Sequence, residues 1–182
     1  MNEVGQRFLA EQKELGIITD LDPHKTGDPN GLLLLSCGDA DISCGLLDHV
    51  RELSGSSRIH QISVNGGALN LAQGSPLPRR RSYAIAGVQL MHEIKEACEL
   101  KNLTKVAICA HSQCGAAHAC GLTEAQAMQW AVRGKLDLRR FFEETGMSIP
   151  ICSMMHVRWK DRGPRLYFLD ARRYADHHRI AA

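Results

Sequence analysis

Long apolar runs are missing from this sequence. The stretch Leu32 to Leu35 is far too short to cross a bilayer, and no window resembles a membrane-spanning helix. A charge excess is missing too. Lys and Arg number 22 against 20 Asp and Glu, and the formal charge of +2 points away from a general nucleic-acid binder. Arg79-Arg80-Arg81 is a basic run and reads as a solvated loop. No secretory leader is evident, since Met1 to Leu15 is charged and amphipathic. A cytoplasmic protein is expected. Seven cysteines in a reducing compartment do not form a disulfide framework, so the thiols read as buried apolar groups or metal ligands. Repeats and low-complexity tracts are absent. Gly66-Gly67 is no phosphate loop, because neither Lys-Ser nor Lys-Thr follows it.

What remains is a chain of 182 residues, enough for one domain with a proper core. We divide it into an N-terminal helix and arm (1–30), a core (31–170) and a polar tail (171–182). Val4 to Leu15 reads as a helix with Val4, Phe8 and Leu15 on one side, and Thr19 to Gly31 as a loop. Leu32 to Ser36 is a strand buried on both faces. Ser43 to Ser54 follows as a helix with Leu46, Leu47, Val50 and Leu53 inward, then Arg58 to Val64 as a strand. Asn65 to Pro78 is a Gly-, Asn- and Pro-rich loop, long enough to suggest a functional excursion.

Ser82 to Lys101 is the clearest helix, with Ile85, Val88, Met91, Ile94 and Cys98 at helical spacing. Thr104 to Ala110 is a third buried strand. A short helix begins at Cys114. Thr123 with Gln126 forms a capping box that opens a long helix ending near Gly146. Ile149 to Trp159 and Arg165 to Leu169 are strands joined by a turn, so they should pair antiparallel. The expected fold is α/β, a mainly parallel central sheet flanked by helices, with a C-terminal antiparallel edge strand.

The chemistry concentrates at two strand ends. Cys37-Gly38-Asp39 follows the first core strand, and His111-Ser112-Gln113-Cys114 follows the third. Two thiolates, one imidazole and one carboxylate make up a zinc ligand set, and three protein ligands would leave a fourth position for water. Either motif alone is weak, but parallel neighbouring strands would bring both to one edge of the sheet. The remaining cysteines, Cys44, Cys98, Cys109, Cys120 and Cys152, read as inert thiols. His118 and Cys120 are candidates to support the ligands from behind. His60, His92 and His156 read as ordinary histidines, and His177-His178 as a weak adventitious site.

These motifs resemble the β-class carbonic anhydrases. The resemblance runs from about Leu32 to Asp170 and is most specific at His111-Ser112-Gln113-Cys114-Gly115. It implies zinc (Zn2+) held by Cys37, His111 and Cys114, and a homodimer whose N-terminal helix packs on the partner. It also implies reversible hydration of carbon dioxide to bicarbonate, with Asp39 orienting the nucleophile. The implied partners are small molecules, with no nucleic acid and no membrane. The chain departs from the family two positions after Asp39, where Asp41 replaces an arginine that restrains the aspartate. Asp39 would then be able to bind the metal itself, closing the site as Cys37, Asp39, His111 and Cys114. A closed site is usually structural and fits a role in binding or regulation. A basic residue from Arg79 to Arg81 would be the substitute for the arginine. The family's Arg-Asn-Ala-Gly-Asn-like stretch is here Val64-Asn65-Gly66-Gly67-Ala68, and the wider loop suggests another small heterocumulene as an alternative substrate.

Overall fold

A computed structural model describes residues 1–22, 30–55, 58–79 and 87–180. The side chains of Asp41, Cys44, Leu53 and Arg79, and the whole of Arg80, Arg81 and Ile85, lie outside what is described. The elements in chain order are α1 (Glu3–Glu14), β1 (Ile18–Asp20), β2 (Leu32–Ser36), α2 (Ala40–Ser54) and β3 (Ile59–Ser63). A 3-10 turn (Gly67–Asn70), α3 (Pro76–Arg79), α4 (Gly87–Lys101), β4 (Lys105–His111) and α5 (Gly115–Ala119) follow. The chain ends with α6 (Glu124–Glu144), β5 (Ile151–Trp159), β6 (Gly163–Leu169) and α7 (Ala171–His178).

The sheet is six-stranded in the order β1-β6-β5-β4-β2-β3. β3, β2, β4 and β5 run parallel, and β6 and then β1 add antiparallel at one side. Four consecutive leucines make sense in β2 because both of its faces are covered. Leu33 and Leu35 enter one apolar cluster and Leu32 and Leu34 the other, and all four are buried. Each such side chain contributes about 1.5–3 kcal/mol relative to exposure, so this strand anchors the loop that follows it. No helix among the described residues is long and apolar enough to cross a membrane.

Local chemistry sets the helix ends. Asn2 Oδ1 accepts the Gly5 N–H at 2.9 Å to start α1, and the Thr123–Gln126 capping box is formed in both directions at α6. Asp170 starts α7 by accepting the Arg173 N–H at 2.9 Å.

Several expectations are corrected. Thr19 to Gly31 is not loop throughout: β1 pairs Thr19 with Phe168 and Asp20 with Tyr167, partners far away in sequence that local propensity cannot reveal. Residues 171–182 are not merely a tail, since α7 buries Ala171, Tyr174 and Ala175. Val88 does not face inward in α4 and is 62% exposed, while Leu90 takes the core position. In α1 it is Leu9 that is buried, and Val4 is exposed. Asn65 to Pro78 is not loop throughout either, since it carries the 3-10 turn and the start of α3. Ala68, Leu69, Leu71, Ala72 and Leu77 are core residues.

That buried turn positions the site. Glycines on both neighbouring helices let them close on it: a Cβ at Gly134 of α6 would meet the Ala68 carbonyl at 2.5 Å, and one at Gly87 of α4 would meet the Asn70 carbonyl at 2.6 Å. The turn is therefore clamped between α4, α6 and the ends of β2 and β4.

Candidate metal centre

β2 and β4 are direct parallel neighbours, Leu32 standing opposite Lys105 and Leu35 opposite Ile108. Their carboxyl ends lie on the same side, so the residues just past them converge. Cys37 follows the last residue of β2, His111 is the last of β4, and Cys114 is the N-cap of α5. The ligand atoms of Cys37, His111 and Cys114 all lie within 4.8 Å of one another, and all three residues are buried. It is the one such group of three among the described residues. Asp39 is half-buried and stands outside the group.

The donor set fits a tetrahedral ion. Metal–sulfur bonds of about 2.3 Å place two thiolates about 3.8 Å apart. The Cys37 and Cys114 sulfurs are 4.0 Å apart. His111 Nδ1 donates to the Ser112 carbonyl at 3.0 Å, which fixes the tautomer and leaves Nε2 with its lone pair. Nε2 is buried and has no hydrogen-bond partner among the described residues. A buried acceptor with no such partner beside two sulfurs fits the donor set of a cation site.

Electrostatics point the same way. The Cys37 thiol is pushed well below the usual range, first by the hydrogen bond from Cys114, then by His111 and by the Gly66 N–H, against the opposing effect of burial. Cys114 moves up because it is the donor of that pair and is itself buried. Burial alone would lower His111, but the adjacent Cys37 thiolate outweighs it, with Asp39 adding to the rise. The site is thus built to hold negative charge on sulfur and to welcome a cation.

The supporting scaffold is largely backbone. Gly66 N–H donates to Cys37 Sγ at 3.1 Å. Asn70 Nδ2 donates to the Asn65 and Gly67 carbonyls at 2.9 and 3.1 Å, locking the loop that carries Gly66. Ser112 Oγ accepts the Arg158 N–H at 2.9 Å and ties the second motif to β5. Sequence reasoning missed these groups. The doublet Gly66-Gly67, with φ of 94° and 49°, was the available signal. His118 is exposed and Cys120 half-buried. His60 and His92 read as ordinary histidines, whereas His156 is buried beside His49 with neither ring nitrogen hydrogen-bonded among the described residues. A cavity of about 710 Å³ lies against Cys114, lined by Met1, Phe8, Gly115, His118 and Glu124 among others.

The chain matches no protein-family model and no curated protein. Among solved structures it is similar to a beta-carbonic anhydrase isoform I from the protozoan Trichomonas vaginalis. Identity is 16%, the match covers 92% of this chain and 97% of that chain, and the TM-score is 0.42.

Proposed function

We propose that this chain is a zinc-dependent lyase that hydrates carbon dioxide reversibly to bicarbonate. The observation that carries the reading is the buried Cys37, His111, Cys114 group with donors within 4.8 Å of one another, together with the sequence motifs that supply it. Zinc held there supplies a Lewis acid that lowers the pKa of a water to near neutrality.

The chain's own residues prepare that chemistry. Cys37 and Cys114 as thiolates offset the dication, and the Gly66 N–H steadies the charge on Cys37. The Ser112 carbonyl keeps the His111 proton on Nδ1, so Nε2 would be available to hold the ion as a neutral ligand. Asp39, outside the three-donor group, accepts a hydrogen bond from the attacking water and orients it. That position supports an open site over the closed four-ligand arrangement, in which Asp39 would itself bind the metal.

A stopped-flow indicator assay of carbon dioxide hydration tests the reading. Zinc-loaded protein is expected to hydrate well above buffer, and Cys114→Ala to lose both zinc and rate. Full zinc occupancy in Cys114→Ala rejects the ligand assignment, and zinc-loaded protein without hydration rejects the activity. Asp39→Asn separates the two forms of the site. An orienting Asp39 gives unchanged zinc content and a rate lower by about a hundredfold; a ligating Asp39 gives weaker zinc binding.

A further inference from the structure

Cys37 and Cys114 are the only close sulfur pair recorded among the described residues, and they come from different loops. Their sulfurs are 4.0 Å apart. A disulfide bond is about 2.05 Å long, so closing it needs a relative movement of about 2 Å. Both residues are 4% exposed, yet each borders the surface: Gly38 beside Cys37 is exposed, as are Gln113 and Gly115 on either side of Cys114. Cys114 lines the cavity of about 710 Å³, which offers a small oxidant a path to the pair.

Geometry favours Cys37 as the attacking sulfur. Its Sγ accepts the Gly66 N–H at 3.1 Å, a donor that steadies negative charge on sulfur, and the thiolate is the reactive form of a cysteine.

We propose that Cys37 and Cys114 form a redox pair whose disulfide and whose metal-bound form exclude one another, so that a peroxide closes the metal centre. This rests on the three-donor reading of the site but not on the hydration activity. The Cys37 thiolate attacks one oxygen of hydrogen peroxide, the O–O bond breaks, and the departing hydroxide takes up a proton as water. Cys37 is then a sulfenic acid. The Cys114 sulfur attacks the Cys37 sulfur, the S–S bond forms, the S–O bond breaks, and water leaves with the Cys114 proton. Two thiols are oxidised by two electrons and one peroxide is reduced to two waters. The disulfide has no thiolate left to offer, so His111 alone cannot hold the ion.

The test uses the full chain, zinc-loaded and chelator-stripped, treated with hydrogen peroxide and then digested under non-reducing conditions. The expected product of the stripped protein is a Cys37–Cys114 cross-linked peptide lighter by two hydrogens, with zinc uptake abolished and restored by a thiol reductant. Zinc-loaded protein should react more slowly and release zinc to a chromophoric chelator as the cross-link forms. Cys114→Ser should give no such cross-link and should instead accumulate a dimedone-trappable sulfenic acid on Cys37. Free thiols at both positions after peroxide treatment, or a cross-link that leaves zinc uptake intact, overturns the proposal. Zinc uptake by untreated protein is scored separately: its absence sinks the metal reading, while the peptide mass still reports on the pair.

Discussion

Gly67→Ala probes the link between the buried turn and the metal centre. A Cβ at position 67 would meet the Cys37 nitrogen at 2.8 Å, the Cys109 carbonyl oxygen at 2.9 Å and the Ser36 carbonyl carbon at 3.0 Å. All three are backbone atoms at the ends of β2 and β4, so no side chain can swing aside. The residue also sits at φ 49°, in the left-handed region. A left-handed non-glycine residue costs about 1–3 kcal/mol, and forcing an extra methyl into a packed interior costs about 1–3 kcal/mol more. The variant should therefore lose about 2–6 kcal/mol of stability in urea unfolding. Displacing the turn also withdraws the Gly66 N–H from Cys37. A hydrogen bond to a charged group is worth about 1.5–3 kcal/mol, which is about a 10- to 150-fold loss of zinc affinity in a chelator competition at 1.4 kcal/mol per decade. Gly74→Ala is the control. Its φ is 81°, but a Cβ there has nothing within 4 Å. It should show only the backbone strain, about 1–3 kcal/mol, and unchanged zinc binding. Equal losses in the two variants, or full zinc affinity in Gly67→Ala, would falsify the steric argument.

His156 should make stability pH-dependent. Burial first, then the charges of His49, His111 and Arg158, hold its pKa down to about 4, whereas an unfolded histidine titrates near 6.5. Above about pH 6.5 both states are neutral; below it the unfolded chain takes up the proton first, so stability falls as pH drops toward 4, by roughly 1.4 kcal/mol per unit and about 3 kcal/mol in all. His156→Leu orphans no partner among the described residues and should flatten that part of the urea-measured pH profile, and an unchanged slope refutes the assignment. Thr123→Ala removes the capping box at the start of α6 and should lower stability by about 1 kcal/mol without touching zinc affinity, read by the same two assays.

The parts of this molecule that the sequence announced are those where local pattern and tertiary role coincide. Leu32 to Leu35 reads as a doubly buried strand because no other element needs four leucines in a row, and it is one. Cys37 and His111 stand out because each follows such a run. Thr123 and Gln126 form their cap within four residues. The failures share one cause, a partner distant in sequence. β1 is three residues long and exists through β6, some 150 residues on. α7 has only Ala171, Tyr174 and Ala175 to bury, a stripe too thin to see against its charges. The glycines and small apolar residues of 66–72 look like loop, yet α4 and α6 cover them, and the glycines that permit this, Gly87 and Gly134, lie elsewhere in the chain. The Gly66 N–H that faces Cys37 is a backbone group, and no side chain advertises it.

Topology explains why the three donors meet where they do. From β2 the chain passes through α2 to β3 on one side, and β4 then returns to the other side of β2. The connections leaving β2 and β4 therefore diverge in opposite directions, and the sheet opens a crevice between their carboxyl ends. Cys37 comes from one lip of that crevice and His111 with Cys114 from the other, while the loop after β3 lays Gly66 and Gly67 across it. A ligand set split across a switch point is assembled only when the sheet has its native order. A metal held there would bind the native state and not the unfolded chain, so its binding free energy would add to folding stability. It follows that zinc should raise the unfolding midpoint of the wild-type protein and leave that of Cys114→Ala unmoved, and an equal rise in both would place the ion somewhere other than this crevice.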